Sequence, residues 1–390
     1  MNLQKKSLNL HKKLKGKITI QPKVDINSKE ILQLVYTPGV AEPCLAISQD
    51  VSQSFALTSR ANTIAVVTDG TAVLGLGDIG PEAGMPVMEG KCAIFKTFGD
   101  VNAVPLCLKT KDVDEIVNTI YLLSGSFGGI NLEDIAAPRC FEIEEKLSKK
   151  CDIPIFHDDQ HGTAIIVGAA CLNAIKLTGK KLESNKIVIN GAGAAGIAIT
   201  KHLFSLGFQD ITICNSRGII HKKMENLNSA QKEISKITNK QNLSGGLDVA
   251  IKNADIFIGV SVGDIVSIDM VKSMASNPVV FALANPRPEI PYEDALKAGA
   301  LVVGTGTSMH PNQINNSLVF PGLFRGVLDV SASEINTEMK ISASKAIASC
   351  VSKKELTKDY ILPDMFNKDV HKAVAKAVAI AAKKTKVARI

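Results

Sequence analysis

A chain of 390 residues with 45% hydrophobic and 21% charged side chains is ordinary globular material, long enough for about two or three domains with sizeable cores. It has no tryptophan and four tyrosines, so it offers no aromatic platform for stacking bases, which argues against a nucleic-acid partner. The net charge of +7 gathers at the ends, in Lys5, Lys6, Lys12, Lys13, Lys15 and Lys17 and in Lys383, Lys384, Lys386 and Arg389; these runs read as solvated tails, with attraction of an anionic substrate as the alternative.

The eight cysteines, Cys44, Cys92, Cys107, Cys140, Cys151, Cys171, Cys214 and Cys350, form no C-x-x-C pair and mostly sit in apolar runs. They read as buried, reduced thiols of a cytoplasmic protein. No apolar run reaches the roughly 18–20 residues of a membrane span, and the first twenty residues lack the apolar stretch of a secretory signal. No membrane association is expected.

In chain order, Tyr36 precedes the turn Thr37-Pro38-Gly39. Its phenol is a proton donor if a cation holds it near a carbanion; otherwise it is a packed tyrosine at a domain edge. Residues 67–96 are rich in glycine and contain proline. Within them Lys91 enters the apolar segment Cys92-Ala93-Ile94-Phe95. Burial and a nearby dication would both lower its pKa and make the amine a general base; the plain alternative is a surface lysine lying along a helix start. Residues 103–108 read as a strand, and Asp112 caps a helix pattern through Ile116, Ile120 and Leu123.

Two acidic pairs follow, Glu133-Asp134 and Asp158-Asp159, each after a short apolar run. Acids at strand ends converge well in a cleft at a sheet edge. Three carboxylates drawn from these pairs suit a hard cation, Mg²⁺ or Mn²⁺, and leave coordination positions for a chelating substrate; the alternative is solvated loop caps. His157 and His161 are readable as ligands too, but fit better as supporting or packing groups.

Residues 163–177 form an apolar, small-residue helix pattern that joins two parts, 1–163 and 164–390. Strands are expected at 186–190, 210–215, 255–260, 279–285 and 300–304, with helices between them, including 268–274 and 292–298. Residues 226–246 are polar and read as a surface helix and loop, and the chain reads as helical after Phe320-Pro321-Gly322. Alternating strands and helices imply an α/β fold with a doubly wound parallel sheet. The first of these strands feeds Gly191-Ala192-Gly193-Ala194-Ala195-Gly196, a G-x-G-x-x-G turn that opens a helix. This turn lets backbone N–H groups approach a pyrophosphate at a helix N-terminus, so it predicts a dinucleotide.

Six motifs now agree in order. They are Tyr36-Thr37-Pro38-Gly39-Val40-Ala41, the segment from Thr68 through Leu74 to Asp78, Glu89-Gly90-Lys91, Asn131-Leu132-Glu133-Asp134-Ile135, His157-Asp158-Asp159-Gln160-His161-Gly162-Thr163-Ala164, and the glycine turn at Gly191. From about residue 36 to about residue 329 the chain resembles malic enzymes, most of all the short bacterial form. The resemblance implies an N-terminal α/β catalytic domain, a Rossmann-type dinucleotide domain and a helical C-terminus, with oxidative decarboxylation of L-malate to pyruvate and CO₂ and reduction of NAD or NADP. It implies that Lys91 is the general base, Tyr36 the general acid, and Glu133, Asp134 and Asp159 the metal ligands. It places Asn285 beside cofactor and substrate and Asn316 near the substrate carboxylate, leaving open whether Asn315 or Asn316 points inward. It also implies a homodimer in which Tyr36 can serve a neighbouring subunit. The alternatives are a dehydrogenase that does not decarboxylate and a dinucleotide sensor without turnover.

Two positions depart from the pattern. Larger relatives carry a carboxylate-gripping arginine where this chain has Ala72. Where a ribose-binding acid is expected, this chain has Asn215-Ser216-Arg217. Arg217 can pair with a 2′-phosphate, whereas Asn215 can bond a 2′-hydroxyl, so NAD and NADP both remain open.

Overall fold

The computed structural model describes residues 3–73 and 75–390; Leu74, within the second motif, lies outside them. Four helices come first: α1 (Leu3–Leu14), α2 (Lys29–Val35), α3 (Ala41–Gln49) and α4 (Gln53–Leu57). The first three bury no residue, and Leu8, Leu10, Leu34, Tyr36 and Leu45 are each more than half exposed.

A four-stranded sheet follows, built from β1 (Thr63–Thr68), α5 (Pro81–Gly99), β2 (Asn102–Cys107), α6 (Val113–Leu123), β3 (Gly129–Leu132), α7 (Arg139–Lys150) and β4 (Ile155–His157). Its order is β2-β1-β3-β4, and every pairing is parallel. The run Ile64-Ala65-Val66-Val67 is buried throughout, as a strand covered on both faces must be. Asp112 caps α6 as expected, accepting the Glu115 N–H at 2.9 Å.

The glycine- and proline-bearing stretch contains a 19-residue helix, which periodicity alone did not reveal. Pro81 suits its first turn, where no N–H partner is needed. Gly99 is compelled by packing, since a Cβ there would lie 2.7 Å from the Pro321 carbonyl oxygen.

The linking helix α8 (Asp158–Thr178) starts five residues earlier than predicted, so Asp158 and Asp159 form its first turn, where acids complement the helix dipole. By length and composition α8 also meets the test for a membrane span, contrary to the sequence reading, but 67% of its apolar window is buried inside the protein. It packs on α9 (Ala194–Leu206) and on the C-terminal helix Thr337–Ser349.

Beyond α8 come β5 (Lys186–Asn190), then α9, β6 (Asp210–Asn215), β7 (Gly218–Ile219), α10 (Ser229–Ile234), α11 (Leu247–Ala250), β8 (Ile256–Gly259), α12 (Ile268–Lys272), β9 (Val279–Ala282), α13 (Tyr292–Lys297) and β10 (Val302–Thr305). The order β10-β9-β8-β5-β6-β7 is that of a doubly wound sheet, parallel except for the short edge strand β7, which the sequence reading did not contain. β9 ends three residues before the expected limit because the Ala284 N–H turns to the Glu289 carboxylate, at 3.0 Å, instead of the ladder.

The C-terminal part is helical with two breaks, at 330–336 and 350–367, between α14 (Phe320–Asp329), α15 (Thr337–Ser349) and α16 (Lys368–Lys384). It turns back over the first sheet. Phe320 and Phe324 lie 4.6 and 5.4 Å, ring to ring, from Phe95 of α5, and Phe324 lies 5.8 Å from Phe156 of β4. One continuous buried cluster therefore joins both sheets through α8 and α14. Cys92, Cys140, Cys171 and Cys214 are buried and Cys107, Cys151 and Cys350 partly so; Cys44 is exposed, unlike the expectation for the set.

Candidate active site

Strand order in the first sheet reverses between β1 and β3, and a parallel sheet opens a crevice at the carboxyl ends of its strands at such a point. Glu133 and Asp134 directly follow β3, and Asp158 and Asp159 directly follow β4. Asp134 is held in the left-handed region, at φ 52°, an uncommon backbone state for a residue other than glycine. Its N–H donates to Asp159 Oδ2 at 2.8 Å, tying the two strand ends together. Carboxylate oxygens of Glu133, Asp134 and Asp159 lie within 4.8 Å of one another.

These acids are poorly compensated. Burial, followed by the charges of Asp159 and Glu133, pushes the Asp134 carboxyl up to about 9. Burial likewise raises Glu133 to about 7, against the pull of Lys91. Asp134 Oδ2 is buried with no hydrogen-bond partner. Asp159 is 34% exposed, which leaves one side of the cluster open. An orphaned carboxylate oxygen among three converging acids fits a hard divalent cation.

Lys91 comes from α5 and is only 7% exposed. Its Nζ donates to Glu133 Oε1 at 2.5 Å and to Asp158 Oδ2, and it lies 4.4 Å from the centre of the Phe320 ring. The expected depressed pKa is not found in the metal-free chain. Burial does favour the neutral amine, but Asp158, Glu133 and Asp159 together outweigh it and hold Lys91 as an ammonium, raised above its ordinary value.

Asp158 is the acid the sequence reading left out of the site. Consecutive helix residues point about 100° apart, so in the first turn of α8 Asp159 faces the acid cluster while Asp158 faces Lys91. Adjacent acids at a helix start were the available signal. Gly162 makes room for this arrangement, because a Cβ there would sit 1.8 Å from Asp158 Oδ1. Asn131 was also missed; its Nδ2 donates to Glu133 Oε2 at 2.9 Å. Of the two asparagines left open, Asn316 turns inward, donating to Asp158 Oδ2 at 2.5 Å, while Asn315 accepts the Ser317 N–H at 2.9 Å. His161 faces Glu144 and Lys340, away from the cluster, and His157 Nδ1 lies 3.9 Å from Asp159 Oδ2. Tyr36 stands apart: its side chain is 64% exposed and makes no hydrogen bond to Lys91 or to the acids within this chain.

The glycine turn sits where the second sheet reverses direction, between β5 and β8. Gly191 has φ 118° and faces the Val260 carbonyl, 2.5 Å from where a Cβ would be. Gly196 packs so closely on Gly191 that a Cβ would be 1.7 Å from the Gly191 oxygen. Nothing lies within 4 Å of the corresponding point on Gly193, which is the N-cap of α9. Two glycines therefore shape the turn, and the third leaves backbone open to a ligand. Ala194 and Ala195 begin α9, and the Ala192 carbonyl accepts from Gln231 Nε2 at 3.1 Å. At the end of β6, Asn215 Oδ1 accepts the Arg217 N–H at 2.9 Å, and the exposed Arg217 guanidinium donates to the Asn226 carbonyl at 3.2 Å. Asn285, beyond β9, is exposed, and its carbonyl lies 2.5 Å from where a Cβ on Gly75 would be. The glycine-rich loop of the first sheet thus meets the loop after β9 of the second.

Comparison with known proteins agrees with this two-sheet plan. Residues 15–113 and 109–148 match the family described as malic enzyme, N-terminal domain, and residues 160–385 match malic enzyme, NAD binding domain. The chain is 56% identical to the bifunctional malic/malolactic enzyme of Bacillus subtilis, over 100% of this chain and 95% of that protein. It is 51% identical to the NAD-dependent malic enzyme of Geobacillus stearothermophilus, over 100% and 81% respectively. The crystal structure of the NAD-dependent malic enzyme of Thermotoga maritima superposes with a TM-score of 0.92 at 48% identity, covering 96% of this chain and 98% of that one. The malic enzyme of Pyrococcus horikoshii gives 0.96 at 44%, covering 100% and 92%. With both halves matched along nearly their whole length, and with the acid cluster and the glycine turn at the two sheet reversals, the chain belongs to the malic enzyme family.

Proposed function

We infer that the chain oxidises and decarboxylates L-malate to pyruvate and CO₂ with NAD or NADP as hydride acceptor, using a divalent cation. The observation that carries this reading is the convergence of Glu133, Asp134 and Asp159 beside Lys91, since hydride transfer alone requires no cation site. Glu133, Asp134 and Asp159 would hold Mg²⁺ or Mn²⁺. Gly191, Ala192, Gly193, Ala194, Ala195 and Gly196 would hold the pyrophosphate, with Asn215 and Arg217 at the ribose. When bound, the dinucleotide accepts the C2 hydride and the cation polarises the C2 oxygen while offsetting the negative charge around Lys91.

Lys91 Nζ then takes the C2 hydroxyl proton, with Asp158 keeping the amine aimed at the site. Asn285 and Asn316 orient substrate through their amides. Once the C2 ketone lies β to the second carboxylate, CO₂ departs, and the Tyr36 phenol delivers a proton to C3. Because Tyr36 is exposed, makes no hydrogen bond to Lys91 within one chain and lies in a helical region with exposed leucines, it serves a second copy in a homodimer. Residues 1–163 form the malate- and metal-binding part and residues 164–390 the dinucleotide part with its helical tail, in a cytoplasmic enzyme.

The test is malate plus Mn²⁺ with NAD and NADP in parallel, following reduced nicotinamide at 340 nm and pyruvate. Turnover abolished by a chelator and restored by Mn²⁺ is expected. Oxidation without CO₂ release, or cofactor binding without turnover, would point to the non-decarboxylating or sensor alternative. The Bacillus subtilis relative is named for a malolactic activity as well, so lactate is assayed in the same mixture.

A further inference from the structure

The acid-bearing turn at the start of α8 is fastened from behind by a charged cluster that touches neither Lys91 nor the three acids. Glu144, from α7, is 15% exposed and accepts three hydrogen bonds from this one turn. The donors are the His157 backbone N–H at 3.1 Å, Gln160 Nε2 at 3.1 Å and His161 Nε2 at 3.0 Å. The other side of the His161 ring meets Lys340 of α15, with Nζ 3.1 Å from Nδ1. An ammonium only donates, so Nδ1 accepts and Nε2 carries the proton given to Glu144. The chain of donors thus runs from the C-terminal helices through His161 to Glu144. Burial would push the Glu144 carboxyl up, but His161 and then Lys340 hold it down at about 2, so the acceptor stays ionised. His157 and Gln160 bracket Asp158 and Asp159, so the bonds to Glu144 fix the backbone that aims both acids.

We propose that Glu144, backed by His161 and Lys340, is a positioning residue that sets the geometry of Asp159 for the divalent cation. The inference rests on the reading of Glu133, Asp134 and Asp159 as metal ligands. Groups that orient metal ligands without touching the metal typically change metal affinity 10–100-fold when removed. Lys340 and His161 line a cavity of about 540 Å³ between α7, α9 and α15, so a change at Lys340 is made at a cavity wall rather than in packed core.

The experiment measures binding of Mn²⁺ alone to the full-length protein, from the electron paramagnetic resonance signal of the free ion, and binding of NADH by fluorescence. Glu144→Gln keeps one acceptor oxygen and turns an amide NH₂ towards donors. It should weaken Mn²⁺ binding roughly tenfold or more. Lys340→Met leaves all three bonds to Glu144 in place and should weaken it less, in the same direction. Both should leave NADH affinity unchanged, because the glycine turn takes no part. If Glu144→Gln fails to fold, Lys340→Met decides. Wild-type Mn²⁺ affinity in the folded variants overturns the proposal, and so does a parallel loss of NADH affinity, which marks a merely structural role. A wild-type protein that binds no Mn²⁺ overturns the metal reading itself.

Discussion

Lys91 Nζ donates to Glu133 Oε1 at 2.5 Å, so a carboxylate placed to hold a cation also holds the lysine's proton. The two roles compete for one negative charge. With the acids uncompensated, Lys91 is an ammonium and useless as a base; with their charge offset, the same burial that now loses to Asp158 and Glu133 favours the free amine. On the proposed roles of Glu133 and Lys91, metal and base are coupled through a single side chain.

Lys91→Ala follows directly. Loss of a positioned general base costs typically 10²–10⁴-fold, so kcat for malate oxidation should fall by at least about 100-fold. Small primary amines added to the assay should restore part of it, because the substitution leaves a hole where Nζ stood. Full activity in Lys91→Ala would remove the residue from the chemistry.

Asp159→Ala should raise the Mn²⁺ concentration required for half-maximal activity roughly 10–100-fold or more, with the dinucleotide KM little altered. Asp159 also accepts the Asp134 N–H, so its loss frees a second ligand loop. An unchanged Mn²⁺ requirement would place Asp159 outside the coordination sphere.

The raised carboxyls predict how stability varies with pH. Asp134 titrates near 9 in the folded chain and near 4 unfolded, so between those values the folded state holds more protons. Stability must then fall as pH rises across that window. Metal-free protein should melt at a lower temperature at pH 8.5 than at pH 6, and saturating Mn²⁺ should shrink the difference by favouring ionised acids. Thermal melts with chelator and with Mn²⁺ at both pH values check this; a melting temperature that rises with pH in the chelated protein would contradict it.

Arg217→Ala separates the two cofactor readings. The exposed guanidinium is held near the end of β6 by one bond to the Asn226 carbonyl, which leaves other N–H groups for a 2′-phosphate. If the chain uses NADP, the KM for NADP should rise about tenfold or more while that for NAD stays put, since a charge-assisted hydrogen bond contributes roughly 1.5–3 kcal/mol. Equal effects on both cofactors would assign Arg217 no part in the choice.

Much of the second sheet was legible because its strands are short apolar runs bounded by turn residues. Strands at 186–190 and 210–215 end where the sequence places them. The helix at Pro81–Gly99 was not legible, because the glycine that closes it, Gly99, is explained by its contact with Pro321 of α14, more than two hundred residues away. The acids were visible as pairs, but their division of labour was not. Adjacent residues look equivalent in a sequence, and only the helical start of α8 turns Asp158 to Lys91 and Asp159 to Asp134. That Lys91 is held as an ammonium until a cation offsets the acids was not legible either, since it follows from Asp158 and Glu133 both facing its Nζ.

Tyr36 yields the sharpest test of assembly. Within one chain it is exposed and unconnected to Lys91, although the reaction needs a proton donor at C3. Tyr36→Phe should slow pyruvate formation while sparing reduction of oxaloacetate, which needs no proton at C3. If the phenol comes from a second copy, a hybrid of one Tyr36→Phe chain and one Lys91→Ala chain contains one site with both groups intact and one with neither. Mixing the two nearly inactive variants under subunit exchange should then regain up to about a quarter of wild-type activity: half of the dimers are hybrids, and each has one working site of two. If Tyr36 acts within its own chain, every site in the hybrid lacks one group, and mixing restores nothing.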